Sequence, residues 1–387
     1  MGCFGKANER MISIFMKKTL IIIIIIIAIA AVGVGVYFGW KKSKEILTPS
    51  ISPGEVSSNL PSQAVLKLKA LSNEFVVAYW ADSSLENIFY LSSDGKIFKT
   101  NQNSEEAISD QAMGDVKKGE FSADGKLVLV EFSNLGVSKW NIFDLENKKW
   151  LILPSTITAA SFSSDGGKIA YLQNNLKGYS DLFTNDIANF KKGGGEFSKK
   201  QIKILSLNQE DFDIKWINSN KVLLVSKMFT EAETEIWSID LKTKNITKFL
   251  SGSGLILSFS KFGDLGIKFS ANLNTPKLSL IDGNGKKLAD FGFYTFPQKC
   301  FIAGRSNIFC AVPNDQSVFD RVKFVDDYFK RAVFSNDNFI QLDLNGNKLE
   351  TIALGDSQSI DADSISFYGN KFLFINRYDN RFYSLAL

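Results

Sequence analysis

Apolar positions follow two different patterns along this 387-residue chain. From Thr19 to Trp40 no residue is charged and most are Ile, Ala, Val or Gly, so a single continuous apolar segment stands near the start. From about residue 65 onward, short apolar or alternating runs recur between Gly, Asn and Asp residues. The first pattern is typical of a membrane-spanning helix. The second pattern is typical of strands joined by tight turns, and it predicts an all-β domain.

The apolar segment is long enough to cross a bilayer. Its 22 residues would extend about 33 Å as a helix, against a hydrocarbon core of about 30 Å. Tyr37, Phe38 and Trp40 stand at its end, where aromatic side chains favour the headgroup level. A cleaved signal peptide is the alternative, but its apolar region is usually only about 7–15 residues long and ends at a small-residue cleavage site. Here Lys41 and Lys42 follow directly, which favours an uncleaved anchor.

These boundaries predict four parts: a short cytoplasmic arm (1–18), a transmembrane helix (19–40), a flexible Ser/Pro-rich stalk (41–62) and a β-domain (63–387). Membrane lipid is the expected partner of the helix. Basic residues flank the helix on both sides, so the positive-inside rule discriminates little between the two orientations. The usual arrangement of a signal anchor keeps the short arm inside. We therefore expect a single-pass protein of a bacterial cytoplasmic membrane, with the β-domain on the extracytoplasmic side.

The β-domain repeats itself about every 46 residues. Residues 119–130 (GEFSADGKLVLV) align with residues 160–171 (ASFSSDGGKIAY), and weaker copies follow. In each copy an aromatic-led strand meets an Asp-Gly turn, where glycine supplies the positive φ of a tight hairpin. The residues of this blade-turn motif are Phe121, Asp124, Gly125, Phe162, Asp165 and Gly166.

Four antiparallel strands per repeat define a propeller blade. The last copy stops after three strands, whereas the alternating segment 65–71 precedes the first copy. We expect that segment to supply the fourth strand of the last blade, which would close the ring and remove an exposed edge. In the first copy, residues 87–91 are interpreted as the third strand. Seven blades are predicted, with six or eight as alternatives, from leading strands at Phe75, Phe121, Phe162, Trp216, Phe259, Phe301 and Phe367.

The turns FSADGK (121–126) and FSSDGGK (162–168) resemble the WD40-like repeats of TolB-type β-propellers. In that family FSPDGK opens a blade and a later strand ends in Asp-Leu, as at Asp144 and Leu145 here. Ala123 and Ser164 replace the proline of the family motif, and the second copy contains an inserted glycine. The resemblance implies a propeller in an extracytoplasmic setting, although the α/β domain of TolB is replaced by the span and stalk. It does not imply the TolB interaction, because function on a common fold depends on its sites.

Charge and composition exclude several functions. The net charge of +4 falls entirely within residues 1–62, and residues 63–387 contain 38 basic and 38 acidic residues. A neutral domain argues against binding nucleic acid, which requires a basic face. The chain contains no His, so Ser-His-Asp and Cys-His catalytic systems and His-containing zinc sites are excluded. No cofactor is expected.

Two cysteines form one candidate feature of the β-domain. Cys300 and Cys310 flank a predicted hairpin symmetrically about Arg305. They should therefore lie opposite each other on adjacent strands, where a disulfide can form. A disulfide would agree with an oxidising compartment. Two buried thiols that merely pack against each other are the alternative.

The insertion of residues 313–338 is the other candidate. It is rich in Asp and aromatic residues, and a long loop on a rigid propeller is a reasonable place for recognition. Its aromatic side chains could instead cap the core of the domain. The candidate recognition residues are Asp320, Asp326, Asp327, Tyr328 and Phe329.

The sequence contains no recognisable catalytic constellation. It predicts a non-enzymatic module that binds a protein or an envelope polymer, or that serves as a scaffold, through the loops at the ends of the blades. The alternative is a carbohydrate-active hydrolase with carboxylates at the mouth of the propeller channel, which carboxylates of raised pKa clustered on one face would favour.

Overall fold

The computed structural model describes residues 67–386, except 83–86, 102–103, 110–113, 135, 176–177, 193–199, 210–211, 227–232, 273–274, 321–323, 346–347 and 353–358. The predicted arm, transmembrane helix and stalk lie outside these residues. Within the described ranges, no helix has both the length and the apolar character needed to cross a bilayer.

The described chain forms seven antiparallel sheets of four strands each, which are the blades of a propeller. One strand, β1 (Lys67–Ala70), precedes the first blade in the sequence. Blades 1 to 3 follow, with strands β2 (Val76–Ala81), β3 (Ile88–Ser92), β4 (Ile97–Thr100), β5 (Glu105–Ala107); β6 (Asp115–Phe121), β7 (Leu127–Asn134), β8 (Val137–Asp144), β9 (Lys149–Ile152); β10 (Ile157–Phe162), β11 (Lys168–Asn174), β12 (Ser180–Asp186) and β13 (Ile202–Leu207).

Blades 4 to 7 complete the ring. Their strands are β14 (Phe212–Asn218), β15 (Lys221–Ser226), β16 (Glu233–Asp240), β17 (Ile246–Ser253); β18 (Ile256–Phe259), β19 (Leu265–Asn272), β20 (Thr275–Asp282), β21 (Lys287–Asp290); β22 (Cys300–Ala303), β23 (Asn307–Pro313), β24 (Asp337–Asp343), β25 (Lys348–Ile352); β26 (Ala362–Tyr368), β27 (Lys371–Asn376) and β28 (Arg381–Ala386). Short helices interrupt two blades: α1 (Ile187–Lys192) in blade 3 and α2 (Phe324–Phe329) in blade 6. Turns of 3₁₀ helix lie at Pro297–Lys299 and Gln316–Asp320.

The hydrophobic core lies between neighbouring blades. Leu129 and Trp140 of blade 2, for example, pack in one cluster with Ala160 and Tyr171 of blade 3. Each buried strand therefore presents apolar side chains to both sides, which explains the nearly continuous apolar runs in the sequence. The first strands of several adjacent blades, such as β2 and β6 or β10 and β14, lie side by side around the propeller axis. We call the space that these strands surround the central channel.

Strand direction divides the loops between two faces of the propeller. The front face carries the turns that join strands 1 to 2 and 3 to 4 of a blade, such as residues 122–126 and 145–148 of blade 2. The back face carries the turns that join strands 2 to 3 and the links from one blade to the next. The 313–338 insertion joins strands 2 and 3 of blade 6, so it belongs to the back face.

The N-terminal strand closes the ring, as predicted. Strand β1 pairs antiparallel with β28 from Lys67 opposite Ala386 to Ala70 opposite Tyr383. Tyr79 of blade 1 adds side-chain contacts, because its hydroxyl donates to the Leu373 carbonyl of blade 7 at 2.6 Å. The prediction of seven blades is likewise confirmed.

Blade 1 differs from the predicted assignment. Strand β3 is its second strand rather than its third, β4 is the third, and Glu105–Ala107 forms the fourth. The Asp94-Gly95 turn consequently joins strands 2 and 3, whereas the same turn in blades 2 and 3 joins strands 1 and 2. Ser-x-Asp-Gly chemistry stabilises a tight turn between any two strands. It therefore locates a hairpin without specifying its place within the blade.

Candidate functional site

The blade-turn motif holds neighbouring blades together. Gly125 and Gly166 have φ angles of 71° and 74°, the left-handed conformation that favours glycine. Ser122 donates from its hydroxyl to Asp124 at 2.6 Å, and the equivalent Ser163 donates to Asp165 at the same distance. The Gly125 carbonyl accepts a hydrogen bond from the Trp80 indole of blade 1 at 3.0 Å.

The two aromatic residues of the motif lie in different surroundings. Phe162 is buried between blades 2 and 3, whereas Phe121 is exposed and stacks near Trp80 with ring centroids 6.1 Å apart. Together with the hydrogen bonds of the turn, these contacts give the motif a structural role.

Cys300 and Cys310 lie directly opposite each other on β22 and β23, in the register that the sequence predicts. The structure joins their sulfur atoms in a disulfide, and both residues are buried. The bond lies within the cluster that also holds the aromatic side chains of the insertion.

The insertion places its candidate recognition residues in two environments. Tyr328 is buried with its ring 4.2 Å from that of Phe296, between centroids, so it packs in the core. Asp326 and Asp327 occupy the first turn of α2 and are partly exposed. Asp320 and Phe329 are exposed. The insertion therefore caps the core with some of its aromatic residues and presents others to solvent.

A buried network of charges anchors the insertion to blades 6 and 7. The Lys299 ammonium lies 2.8 Å from Asp337 Oδ2 and 2.7 Å from Asp361 Oδ1, and all three side chains are inaccessible to solvent. Ser335 accepts from Lys299 at 2.7 Å and donates to Asp337 at 2.8 Å. Burial raises the pKa of Asp337 in spite of the Lys299 charge. Removing one partner from such a network leaves an uncompensated buried charge, which is costly.

Arg377 extends the network towards the surface. Its guanidinium pairs with Asp361 and donates to the Tyr328 carbonyl of α2. It also lies over the Tyr328 ring, 3.6 Å from the centroid, and within 5.2 Å of the Phe334 ring centroid. The short helix of the insertion is thus fixed to the turn between β27 and β28.

Four exposed aromatic side chains lie on the insertion and beside the turn between β27 and β28. We call them the aromatic surface. Phe334 stacks on Tyr378 with ring centroids 5.2 Å apart. The Val76 amide, next to Phe75, donates at 2.7 Å to the carbonyl of Asn380 in the same turn as Tyr378. The members of the aromatic surface and their exposed fractions are Phe75 (57%), Phe329 (47%), Phe334 (37%) and Tyr378 (44%). All four belong to back-face loops of blades 6, 7 and 1.

A second cluster of polar groups lies in the central channel, on the first strands of blades 2, 3 and 4. Lys118 of blade 2 reaches past blade 3 to Asp213 of blade 4, with 2.7 Å between Nζ and Oδ2. Glu120 accepts hydrogen bonds from the Ser161 hydroxyl at 2.9 Å and the Phe162 amide at 2.7 Å. These contacts join residues of three blades in one network.

The channel shifts the titration of these groups. Burial raises the pKa of Glu120, although Lys118 opposes that effect. Burial lowers the pKa of Lys215 on β14. Burial alone would lower the pKa of Lys118, but the Asp213 carboxylate outweighs it and the pKa is raised. An acid and a base with displaced pKa values in one cavity are candidates for proton transfer.

Neither the channel cluster nor the buried network could be identified from the amino-acid sequence. Lys118 and Asp213 stand 95 positions apart, and their meeting depends on the curvature of the whole ring. Lys299 follows a polar residue in an unremarkable turn, so its sequence context resembles that of a solvated lysine. Among the described residues, no group of three or more His, Cys, Asp or Glu side chains is arranged to hold a metal ion.

Comparison with solved structures shows the same architecture in other proteins. The chain is similar to the tricorn protease, with a TM-score of 0.50 and 10% identity over 85% of this chain and 34% of that one. It therefore spans about a third of the tricorn protease chain. It is also similar to oligogalacturonate lyase from Vibrio parahaemolyticus, with a TM-score of 0.57 and 8% identity over 84% of this chain and 97% of that one.

A structure of oligogalacturonate lyase in complex with manganese gives a TM-score of 0.51 and 11% identity over 84% of this chain and 98% of that one. Identities this low show a shared fold and carry no information on activity. No protein-family model and no curated protein sequence matches the chain. These comparisons therefore do not assign the chain to the TolB-type family that the blade turns suggested. The structure establishes an all-β, seven-bladed propeller.

Proposed function

We propose that this chain is a non-enzymatic, membrane-tethered propeller that binds a protein or an envelope polymer on the extracytoplasmic side through the aromatic surface. The observation that carries the proposal is the exposure of Phe75, Phe329, Phe334 and Tyr378 in back-face loops that contact one another. Exposed aromatic side chains contribute a large contact area at a small cost in conformational entropy. They are frequent among the residues that dominate binding energy at interfaces.

The fixed packing around Phe334 and Tyr378 supports a role of the aromatic surface in binding. Phe334 and Tyr378 stack on each other, and Arg377 lies beneath them in ion-pair contact with buried Asp361. Side chains held in this way lose little freedom on binding, which favours affinity.

The position of the chain entry is consistent with a tethered binding module. Strand β1 begins at Lys67, opposite Ala386 at the end of β28, on the front face. A chain that enters the propeller there enters on the side away from the aromatic surface.

A photo-cross-linking experiment tests the proposed binding surface. A photoreactive phenylalanine analogue placed at Phe334 in cells should give a discrete cross-linked product. The same analogue at Phe262, which is 68% exposed in a front-face turn, should give none and serves as the matched control. Digestion of the product by a protease or by a glycan hydrolase would distinguish a protein partner from a polymer. Equal products from both positions, or no product from any position of the aromatic surface, would contradict the proposal.

The proposed location has its own test. Lys277 is exposed on β20, and Lys277→Cys should react with a membrane-impermeant maleimide in intact cells if the propeller lies outside. Cys300 and Cys310 are buried and bonded, so they should not react under native conditions. Labelling of Lys277→Cys only after permeabilisation would place the propeller inside.

The channel cluster favours a second candidate, a carbohydrate-active enzyme that depends on carboxylates. Glu120, with its raised pKa, would act as the acid, and Asp213 is the other carboxylate of the cluster. Oligogalacturonate lyase, to which the chain is similar in fold, bears the name of an enzyme that acts on a sugar oligomer. Release of reducing ends from a panel of polysaccharides by the wild type and not by Glu120→Gln would support the enzyme and contradict the non-enzymatic proposal.

A further inference from the structure

A groove of about 360 Å³ opens on the front face between blades 4 and 5. The groove is separate from both sites described above, because it shares no lining residue with the aromatic surface or with the channel cluster. Blade 4 forms one wall with strands β15, β16 and β17, and the turn of residues 283–286 in blade 5 forms the other. Its principal lining residues are Lys221, Ser238, Thr243, Thr247, Phe249 and Asn284.

Lys221 brings a positive charge to the groove without a carboxylate partner among the described residues. Its ammonium donates to the Gly283 carbonyl and to Asn284 Oδ1, both at 2.9 Å. It also lies 5.5 Å from the centroid of the Phe249 ring. These partners are neutral, so they orient the ammonium without cancelling its charge.

Asp240 is the acidic residue of the lining, and it stays charged. Asp240 accepts from the amides of Thr243 and Lys242 at 2.8 and 2.9 Å, and these bonds lower its pKa. Asp282 likewise accepts from the amides of Asn284 and Lys286. The two turns that border the groove, residues 241–245 and 283–286, add Lys242 and Lys286, and Lys248 also lines the groove. Lys221, Lys242, Lys248 and Lys286 therefore outnumber Asp240, Asp282 and the Glu235 that pairs with Lys248, which favours a negatively charged ligand.

The other lining residues indicate the chemical class of the negatively charged ligand. Ser238 and Thr247 form a hydroxyl pair with 2.8 Å between their oxygens, and Asn284 and Asn245 add side-chain amides. Hydroxyls and amides both donate and accept, which matches a ligand that is itself rich in hydroxyl groups. Phe249 supplies the one aromatic ring of the lining. The volume lies near the lower end of the roughly 300–1,000 Å³ of small-molecule sites and exceeds what a bare inorganic anion fills.

We propose that this groove binds an acidic sugar unit of an oligosaccharide, with the sugar carboxylate at Lys221 and the hydroxyl-bearing ring between Phe249 and the Ser238–Thr247 pair. The inference goes beyond the proposed function, because the site lies on the opposite face of the propeller. It requires neither the aromatic surface nor the channel cluster.

The test compares two disaccharides that differ mainly in charge. The full-length chain, purified in detergent, is titrated by calorimetry with glucuronate–N-acetylglucosamine and with the neutral N,N′-diacetylchitobiose. We expect the acidic disaccharide to bind at least about tenfold more tightly, which corresponds to one interaction of about 1.4 kcal/mol. Inorganic phosphate at the same ionic strength should displace it only weakly.

Two variants and a control connect that binding to the groove. Asn284→Asp places a carboxylate against Lys221 without changing the size of the side chain, and Lys221→Met removes the charge. Each should weaken binding of the acidic disaccharide about tenfold or more, whereas Lys277→Met should not, because Lys277 is an exposed lysine of blade 5 outside the groove. Since Asn284→Asp supplies an ion-pair partner, it should leave the unfolding temperature unchanged or higher.

Several results would overturn the inference. They are equal affinity for the two disaccharides, no binding of either, binding unaffected by Asn284→Asp, and complete displacement by phosphate, which would indicate a simple anion site. A negative cross-linking result at Phe334 would leave this inference standing, so its failure and that of the proposed function are distinguishable.

Discussion

At the scale of the residue, the first turn of blade 2 packs directly against the backbone of blade 1. A Cβ atom on Gly125 would lie 2.7 Å from the Ala81 carbonyl oxygen and 2.9 Å from the Asp82 Cα atom of blade 1. Both neighbours are backbone and cannot rotate away. Gly304 occupies the corresponding turn of blade 6 with a φ of 65°, but nothing lies within 4 Å of its Cβ position. Alanine substitutions at the two glycines therefore distinguish the cost of the left-handed backbone conformation from the cost of steric contact with the neighbouring blade.

We predict that Gly125→Ala destabilises the fold much more than Gly304→Ala. Alanine in the left-handed conformation lowers the free energy of unfolding by about 1–2 kcal/mol at either position. Gly125→Ala lowers it by roughly 1–3 kcal/mol more, because the neighbouring backbone must shift. The difference is measurable as the free energy of unfolding in urea. Equal losses from the two substitutions would show that blades 1 and 2 are not in close contact at this turn.

Local sequence patterns predicted the contact between Cys300 and Cys310 but could not predict the ion pair of Lys118 and Asp213. The opposed positions of Cys300 and Cys310 follow from a single local hairpin, because antiparallel register is set by the turn. The partnership of Lys118 with Asp213 depends on how three blades are arranged around an axis. No local pattern records that arrangement, so it could not be inferred from the chain alone.

At the scale of the element, the insertion of blade 6 is a short helix that depends on its surroundings. Helix α2 has only six residues, too few to be stable by itself. Phe324 and Tyr328 pack on Phe296, and Arg377 donates to the carbonyl at Tyr328. In the sequence, Val318, Val322, Val325 and Phe329 stand three or four positions apart, a spacing that allows a short helix. The buried charges that hold it were not foreseeable, because lysines and arginines in loops are usually solvated.

We predict that Lys299→Met destabilises the protein by roughly 3–5 kcal/mol, because Asp337 and Asp361 would keep their buried carboxylates without the shared cation. The matched control is Lys126→Met, which removes an exposed lysine paired with Glu146 and should cost less than about 1 kcal/mol. Thermal unfolding of the two variants beside the wild type gives the comparison. A loss as small for Lys299→Met as for Lys126→Met would mean that the network is not essential to the fold.

At the scale of the whole molecule, the ring is held by one short strand taken from the other end of the domain. Strand β1 supplies four residues to the edge of blade 7. Leu68 packs against the apolar cluster between blades 6 and 7, and Leu71 is buried between blades 7 and 1. The sequence predicted this closure because an alternating segment stood outside the repeats while the last repeat lacked a strand.

We predict that two truncations separated by seven residues behave differently. A chain lacking residues 1–64 retains β1 and should unfold at the temperature of the full chain. A chain lacking residues 1–71 also loses Leu68 and Leu71, and it should be less stable by about 3 kcal/mol or more, since burying one Leu contributes roughly 1.5–3 kcal/mol. It also exposes the edge of β28 and should aggregate on heating. Identical melting curves for the two chains would show that the ring does not need this strand.

The same closure sets the timing of folding during synthesis. The Phe382 amide donates to the Ser72 hydroxyl across 310 positions of sequence, so the ring can be completed only after residue 382 has been translated. At about 5–20 residues per second, a ribosome needs on the order of 15–60 s to make the intervening chain. Throughout that interval the first strand has no partner and must be kept from pairing elsewhere. A nascent chain that terminates before β28 would retain six of its blades and still lack the contact that joins them into a ring.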